Sequence, residues 1–264
     1  MLKQSTTLAV VGQLDAASST DQLTAITKSY NVAVEDTSQI VDKLVAVDLN
    51  YAASTGEIST ALQKVASSAG QAGLGLDKLI GLITISEEKT RQAPEVIGSA
   101  WQSIIARIGK ITAKVDLDDL VDENGKVVAT INDADKVLSK YGINLVDTSG
   151  KMRDMGTIMD EIGAKWGQMS TLEQNQLAYV VAGVRQRNVF IAAMEDYNKV
   201  LEATSVAENA NGVAAEKMTV YNESLEAAQN RLTASVQQFA QDSNLDRTLA
   251  LAYDGLSKVV EILN

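Results

Sequence analysis

The chain has 264 residues, 45% of them hydrophobic but only 4% aromatic, which suits a core of Ala, Leu, Val and Ile between closely spaced helices. With no cysteine and no histidine, it excludes disulfide frameworks, thiolate nucleophiles, histidine-based triads and nearly all zinc sites. Its 34 acidic against 23 basic side chains leave a net charge of −11, which sets the mean field against direct nucleic-acid binding; no apolar run reaches the roughly 20 residues of a membrane span.

Helical periodicity recurs in block after block, each fenced by Gly, Ser, Thr, Asn or Asp. It predicts helices over Leu2 to Ala16, Asp21 to Ser29, Ser38 to Tyr51, Gly56 to Ala69 and Leu76 to Ser86. Two more follow over Pro94 to Ile111, opened by the single proline, and Asp133 to Tyr141. The N-terminal stretch MLKQSTTLAVVGQLDAASS carries one lysine and an apolar run too short for a secretory leader, so it reads as helix.

Two stretches break the rhythm. In Val115 to Ile131, Asn124-Gly125 separates LDDLV from KVVATI, and the pair favours the positive φ angles of a tight hairpin turn. In Ile143 to Met155 a turn is expected at Asp147 to Gly150. Small β-hairpins are predicted at both places, neither long enough for an independent sheet.

After Met169 the helices lengthen. Ser170 with Glu173 forms a Ser-x-x-Glu capping box ahead of TLEQNQLAYVVAGVRQRNVFIAAMEDYNKVLEATSVA, with Gly183 placed to kink it. Met218, Leu225, Leu232 and Phe239 then recur every seven residues, and Leu249, Ala252, Leu256, Val259 and Leu263 continue in steps of four and three. The expectation is an all-α, elongated multi-helix bundle with one or two small β-hairpin insertions and long coiled-coil-like C-terminal helices. Three segments follow: a small-residue-rich bundle over 1–114, a hairpin-containing insertion over 115–168, and long helices over 169–264. The heptad stripes are expected to pack within one bundle, with a homo-oligomer left open.

No candidate for chemistry stands up to its structural alternative. Gly70, Gly73 and Gly75 lack both the G-x-G-x-x-G spacing and a preceding strand, so they read as a helix end and restart. The acidic run Asp116, Asp118, Asp119, Asp122 and Glu123 lacks the alternation and central glycine of a calcium loop. Arg185 and Arg187, two apart on a helix, point in separate directions and make no anion clamp; one should pair with a carboxylate and the other meet solvent. The adjacent acids Asp160 with Glu161 and Glu87 with Glu88 do not face each other as a hydrolase pair must. Trp101 and Trp166 fall on amphipathic patterns and read as core anchors. The expected catalytic, cofactor-binding and metal-binding residues are therefore none, and the expected cofactors none.

Three tracts nevertheless carry a family likeness. GLGLDKLIGLITISEEKTRQAPEVIGSAWQSIIARI begins at Gly73; YGINLVDTSGKMRD at Tyr141 to Asp154 presents Gly142, Asp147, Gly150 and Arg153; LAYVVAGVRQRNVFIAAMEDYNKVLE at Leu177 to Glu202 presents an Ala-Gly-x-Arg-Gln-Arg segment. In this order and spacing they resemble the tail tape measure proteins of bacteriophages and prophages, with Tyr141 where that family usually has Leu. The resemblance covers nearly all of the chain.

The resemblance implies a structural, non-enzymatic module of a longer chain, acting in tail assembly, tail-length determination and DNA passage at infection. Its implied partners are the tail tube protein, tail assembly chaperones and tail-tip proteins, and its implied place is the lumen of the virion tail after synthesis in the bacterial host cytoplasm. No direct nucleic-acid contact and no stable membrane insertion are expected. The alternative is a membrane-active or cell-wall-degrading module used during genome entry. A continuous α-helix gains 1.5 Å per residue, so length can be read from residue count, yet the frequent glycines and turns here fold the chain back on itself.

Overall fold

The computed structural model describes residues 1–112 and 131–242, and these form eleven α-helices. In chain order they are α1 (Leu2–Gly12), α2 (Ala16–Ser29), α3 (Thr37–Asp48), α4 (Thr55–Gln71), α5 (Leu76–Thr90) and α6 (Pro94–Thr112). After the undescribed stretch come α7 (Ile131–Lys140), α8 (Met155–Trp166), α9 (Thr171–Glu195), α10 (Tyr197–Glu208) and α11 (Val213–Asp242). A single 3-10 turn, Val34–Asp36, precedes α3.

The helix boundaries follow from local chemistry. Asp15 Oδ1 accepts the backbone N–H groups of Ala17 and Ser18, satisfying orphan donors at the start of α2. This cap divides the helix expected over Leu2 to Ala16: α1 stops at Gly12, and Gln13 turns into the left-handed region at φ 53°. Ser54 with Glu57 and Ser170 with Glu173 form reciprocal capping boxes on α4 and α9, the second as its sequence predicts.

The chain divides into two compact units, Met1–Ala214 and Ala215–Asn264. In the first, α4 lies between α2 and α6, α6 packs on α9, and α5 is enclosed by α3, α4, α6, α9 and α10. The core is Leu, Ile, Val and Ala throughout, with Trp101 and Phe190 its largest fully buried side chains. The α4–α6 contact depends on Gly98, where a Cβ would sit 2.4 Å from the Ala61 carbonyl oxygen. A larger residue would force the two helices apart.

The fold is all-α, and the β-hairpins need correction. Among the described residues there is no strand. The stretch from Ile143 to Met155 holds one isolated antiparallel bridge, Val146 to Met152, around the expected turn. Asp147 consumes the backbone groups that a longer ladder would need, as described below. The hairpin expected at Asn124-Gly125 lies outside the described residues.

The described part of the second unit is α11 from Ala215 onward. Met218, Leu225, Leu232 and Phe239 fall on it seven residues apart. Leu225 is 43% and Leu232 52% exposed. The series Leu249 to Leu263 lies outside the described residues.

Candidate functional site

The sequence words that carried the family likeness prove to be structural ties, starting with the Tyr141 to Asp154 tract. Gly142 and Gly150 adopt φ of 72° and 80°, conformations open to glycine at little cost. Between them Asp147 Oδ1 accepts from the Ser149 N–H at 2.8 Å, the Ser149 hydroxyl at 2.6 Å and the Lys151 N–H at 3.0 Å, closing an Asx-type turn. Those hydrogen bonds, the Ser149 hydroxyl foremost, hold the Asp147 carboxyl below its usual range.

Arg153 completes the loop. Its guanidinium donates to Glu161 at 3.0 and 2.6 Å in a two-pronged pair and to the Asn144 carbonyl at 2.7 Å. Next in sequence, Asp154 accepts the Thr157 N–H and so caps α8. It also abuts Gly73, whose added Cβ would lie 2.5 Å from the Asp154 carboxylate, while the Met155 N–H donates to the Ala72 carbonyl at 3.1 Å. The loop thereby fastens the end of α4 to the beginning of α8. Gly73, at φ 77°, ends α4 as expected, Gly75 is the N-cap that opens α5, and Gly70 lies inside α4 against the Ser29 carbonyl.

At the other end of that loop Tyr141 donates to the Gln168 carbonyl at 3.0 Å and to Glu173 at 3.2 Å. The position where the resembling family carries Leu thus supplies a hydrogen bond that Leu could not make. Glu173 also accepts from Lys140 at 2.6 Å and from Ser170. Lys140 first, then Ser170, pulls its carboxyl down to about 2. One side chain thus caps α9 and holds it to the end of α7.

The Ala-Gly-x-Arg-Gln-Arg tract is a helix break. Gly183 sits at φ 73° and ψ 176°, splitting α9 within its length. The break frees backbone carbonyls, and the Val180 carbonyl accepts from the buried Arg107 Nε at 3.1 Å. Arg185 is exposed; Arg187 donates to the Tyr179 hydroxyl and lies over its ring, so its partner is a tyrosine where a carboxylate was expected.

The acid pairs separate. Asp160 accepts from Lys78 at 2.5 Å and from the Tyr197 hydroxyl at 2.8 Å, whereas Glu161 is taken by Arg153. Burial and then the neighbouring Asp160 push the Tyr197 phenol up. Glu88 meets Lys199 at 3.4 Å and faces the Ala52 N–H, while Glu87 is buried. Trp101 is wholly buried and donates its indole N–H to Ser86, and Trp166 meets Phe190 edge-on at 5.7 Å. Both tryptophans are core anchors, joined through Phe190, which the sequence reading did not single out. The acidic run Asp116 to Glu123 lies outside the described residues. Among the described residues no group of three potential metal ligands converges, and no helix is long and apolar enough to cross a membrane.

One tie had no sequence signal. Asp42 and Lys43 are neighbours on α3, yet Asp42 accepts the N–H groups of Gly212 and Ala214 at 3.0 and 2.9 Å, where α11 begins. Lys43 donates to the Ala207 carbonyl at the end of α10 and pairs with Asp77 at 2.7 Å. An anion thus meets a helix N-terminus and a cation a helix C-terminus, each in the favourable sense of the helix dipole.

The model of one family, described as phage-related minor tail protein, matches residues 1–183. The chain belongs to that family. No solved structure matches it. The match spans the α7–α8 loop and the capping box of α9 and ends at the Gly183 break. The chain is therefore a phage tail protein with a helical fold. The tightly tied loops are the local features on which its shape depends.

Proposed function

We propose that this minor tail protein is a structural, non-enzymatic module of a tail tape measure chain, acting in tail assembly and length determination and present in the tail lumen when DNA passes. The family match over residues 1–183 carries the reading. The way the chain uses its polar side chains supports it: Asp42, Asp147, Asp154, Asp160, Glu161 and Glu173 each bind a helix end, a turn or a partner side chain. Such a carboxylate inventory serves shape.

In this reading the partners are tail tube, tail-tip and assembly-chaperone proteins, reached through acidic surfaces that do not adhere to passing DNA. Because the helices fold back on one another, the module contributes a docking body, and the length-measuring stretch lies in other parts of the tape measure chain.

The test is an in-frame deletion of the segment encoding residues 1–214 in a phage that carries it, with tails counted and measured by electron microscopy. The expected result is a collapse in the number of completed tails, in place of a shortening in proportion to the deleted residues. Normal numbers of normal-length tails would overturn the proposal, and so would clearing of cell-wall substrate by the purified chain.

A further inference from the structure

Glu87 stands apart from every other acid described above. It lies in the last turn of α5, is 5% exposed, and both carboxyl oxygens are buried with no hydrogen-bond partner. Its backbone carbonyl accepts the Arg91 N–H at 2.9 Å, so the side chain projects from the turn where the helix dipole disfavours negative charge. A buried, unpaired carboxylate is among the costliest groups a fold can contain, and it escapes that cost by holding a proton.

Among the described residues no cation pairs with Glu87. At this end of α5 its own Lys89 pairs with Asp196 at 2.5 Å, and Arg91 donates to the Ala52 carbonyl at 2.9 Å. On α10, Lys199 is held by Glu88. The enclosing helices also bring acids. Asp48 of α3 accepts from Thr55, Glu57 of α4 closes the Ser54 capping box, and Glu95 of α6, Glu195 of α9 and Glu202 of α10 are exposed. These three cations are engaged elsewhere, and the Glu57 charge opposes ionisation.

We propose that the Glu87 carboxyl is a buried protonation site that couples the packing of α5 to pH: neutral and closed at neutral pH, loosened when its proton leaves. Burial first, and then the Glu57 charge, raises this carboxyl from 4.5 to about 8. The folded chain therefore takes up a proton between these two values. The stability that Glu87 contributes is full below about 4.5, declines as pH rises, and is lost once pH passes about 8. Composition makes the effect legible. With no histidine and no cysteine, ordinary side chains in this chain do not titrate between about pH 5 and 9.

The test compares the full chain with Glu87→Gln, which keeps the shape and removes the proton. Wild-type melting temperature should fall by several degrees between pH 5 and 9, while that of Glu87→Gln stays level and exceeds the wild type at pH 9. At pH 9, backbone amides of residues 80–92 should exchange faster in the wild type than in Glu87→Gln. Infrared spectra of the wild type alone at pH 6 should show a neutral-acid carbonyl band that vanishes above pH 9, a readout that survives even if the variant misfolds. A level wild-type profile, an equal decline in Glu87→Gln, or an absent neutral-acid band would each overturn the proposal.

Discussion

Two tasks recur among the single residues of this protein: filling a helix interface and closing a helix end. Trp101 does the first. Its ring is wholly buried, its indole N–H is satisfied by Ser86, and Phe190 lies 6.4 Å away with Trp166 beyond it. Trp101→Ala would leave a cavity between α5, α6 and α9 and remove the indole donor to the Ser86 hydroxyl, which keeps its bond to the Leu82 carbonyl. Chemical denaturation should show a loss of about 3–5 kcal/mol. Glu173 does the second, and its low-lying carboxyl records how many donors converge on it. The capping role of Glu173 was readable from Ser-x-x-Glu, because N-capping is decided within four residues of chain. Its bonds to Lys140 and Tyr141 were not, because they depend on where α7 comes to rest.

Among the elements, α9 shows most clearly how local and tertiary terms compete. The sequence places a kink at Gly183, and there the ladder breaks, with the freed Val180 carbonyl satisfied from α6 by Arg107. The backbone angles at Gly183 belong to a region open essentially to glycine. Gly183→Ala should therefore destabilise the chain by about 1–3 kcal/mol despite the higher helix propensity of alanine, measured as a lowered denaturation midpoint. A gain in stability would mean the break is dispensable. The α7–α8 loop follows the same logic with a different outcome. Its turn at Asp147 to Gly150 was legible from the Asp and Gly spacing, but the β-ribbon expected around it contracts to one bridge. Asp147 and Arg153 bind the local backbone with their side chains, leaving little for a strand ladder.

At the scale of the whole molecule, residues 1–214 form a compact unit with its own buried core, while the α11 leucines beyond it are exposed. A chain ending at Ala214 should fold alone, with a single cooperative melting transition at the temperature of the first transition of the full chain. A broad or strongly lowered transition would show that the second unit contributes to the core. The Asp42 and Lys43 contacts explain why the boundary can fall there. They secure the end of α10 and the opening turn of α11 from within the first unit.

The helical class, most helix positions, the capping box of α9, the tryptophan anchors and the glycine that ends α4 were determined by the sequence alone. Each rests on interactions spanning a few residues or on a periodicity that repeats along one helix. The tertiary structure alone decided which charges matter. Asp42 and Lys43, Asp160 and Glu161, and Glu87 and Glu88 are three pairs of adjacent residues on helix surfaces, and each pair divides between different surroundings. Within the last pair one acid is exposed to a lysine and the other is sealed in the core. Neighbours in sequence on a helix point about 100° apart, so the fate of each is set by which distant helix packs on that side.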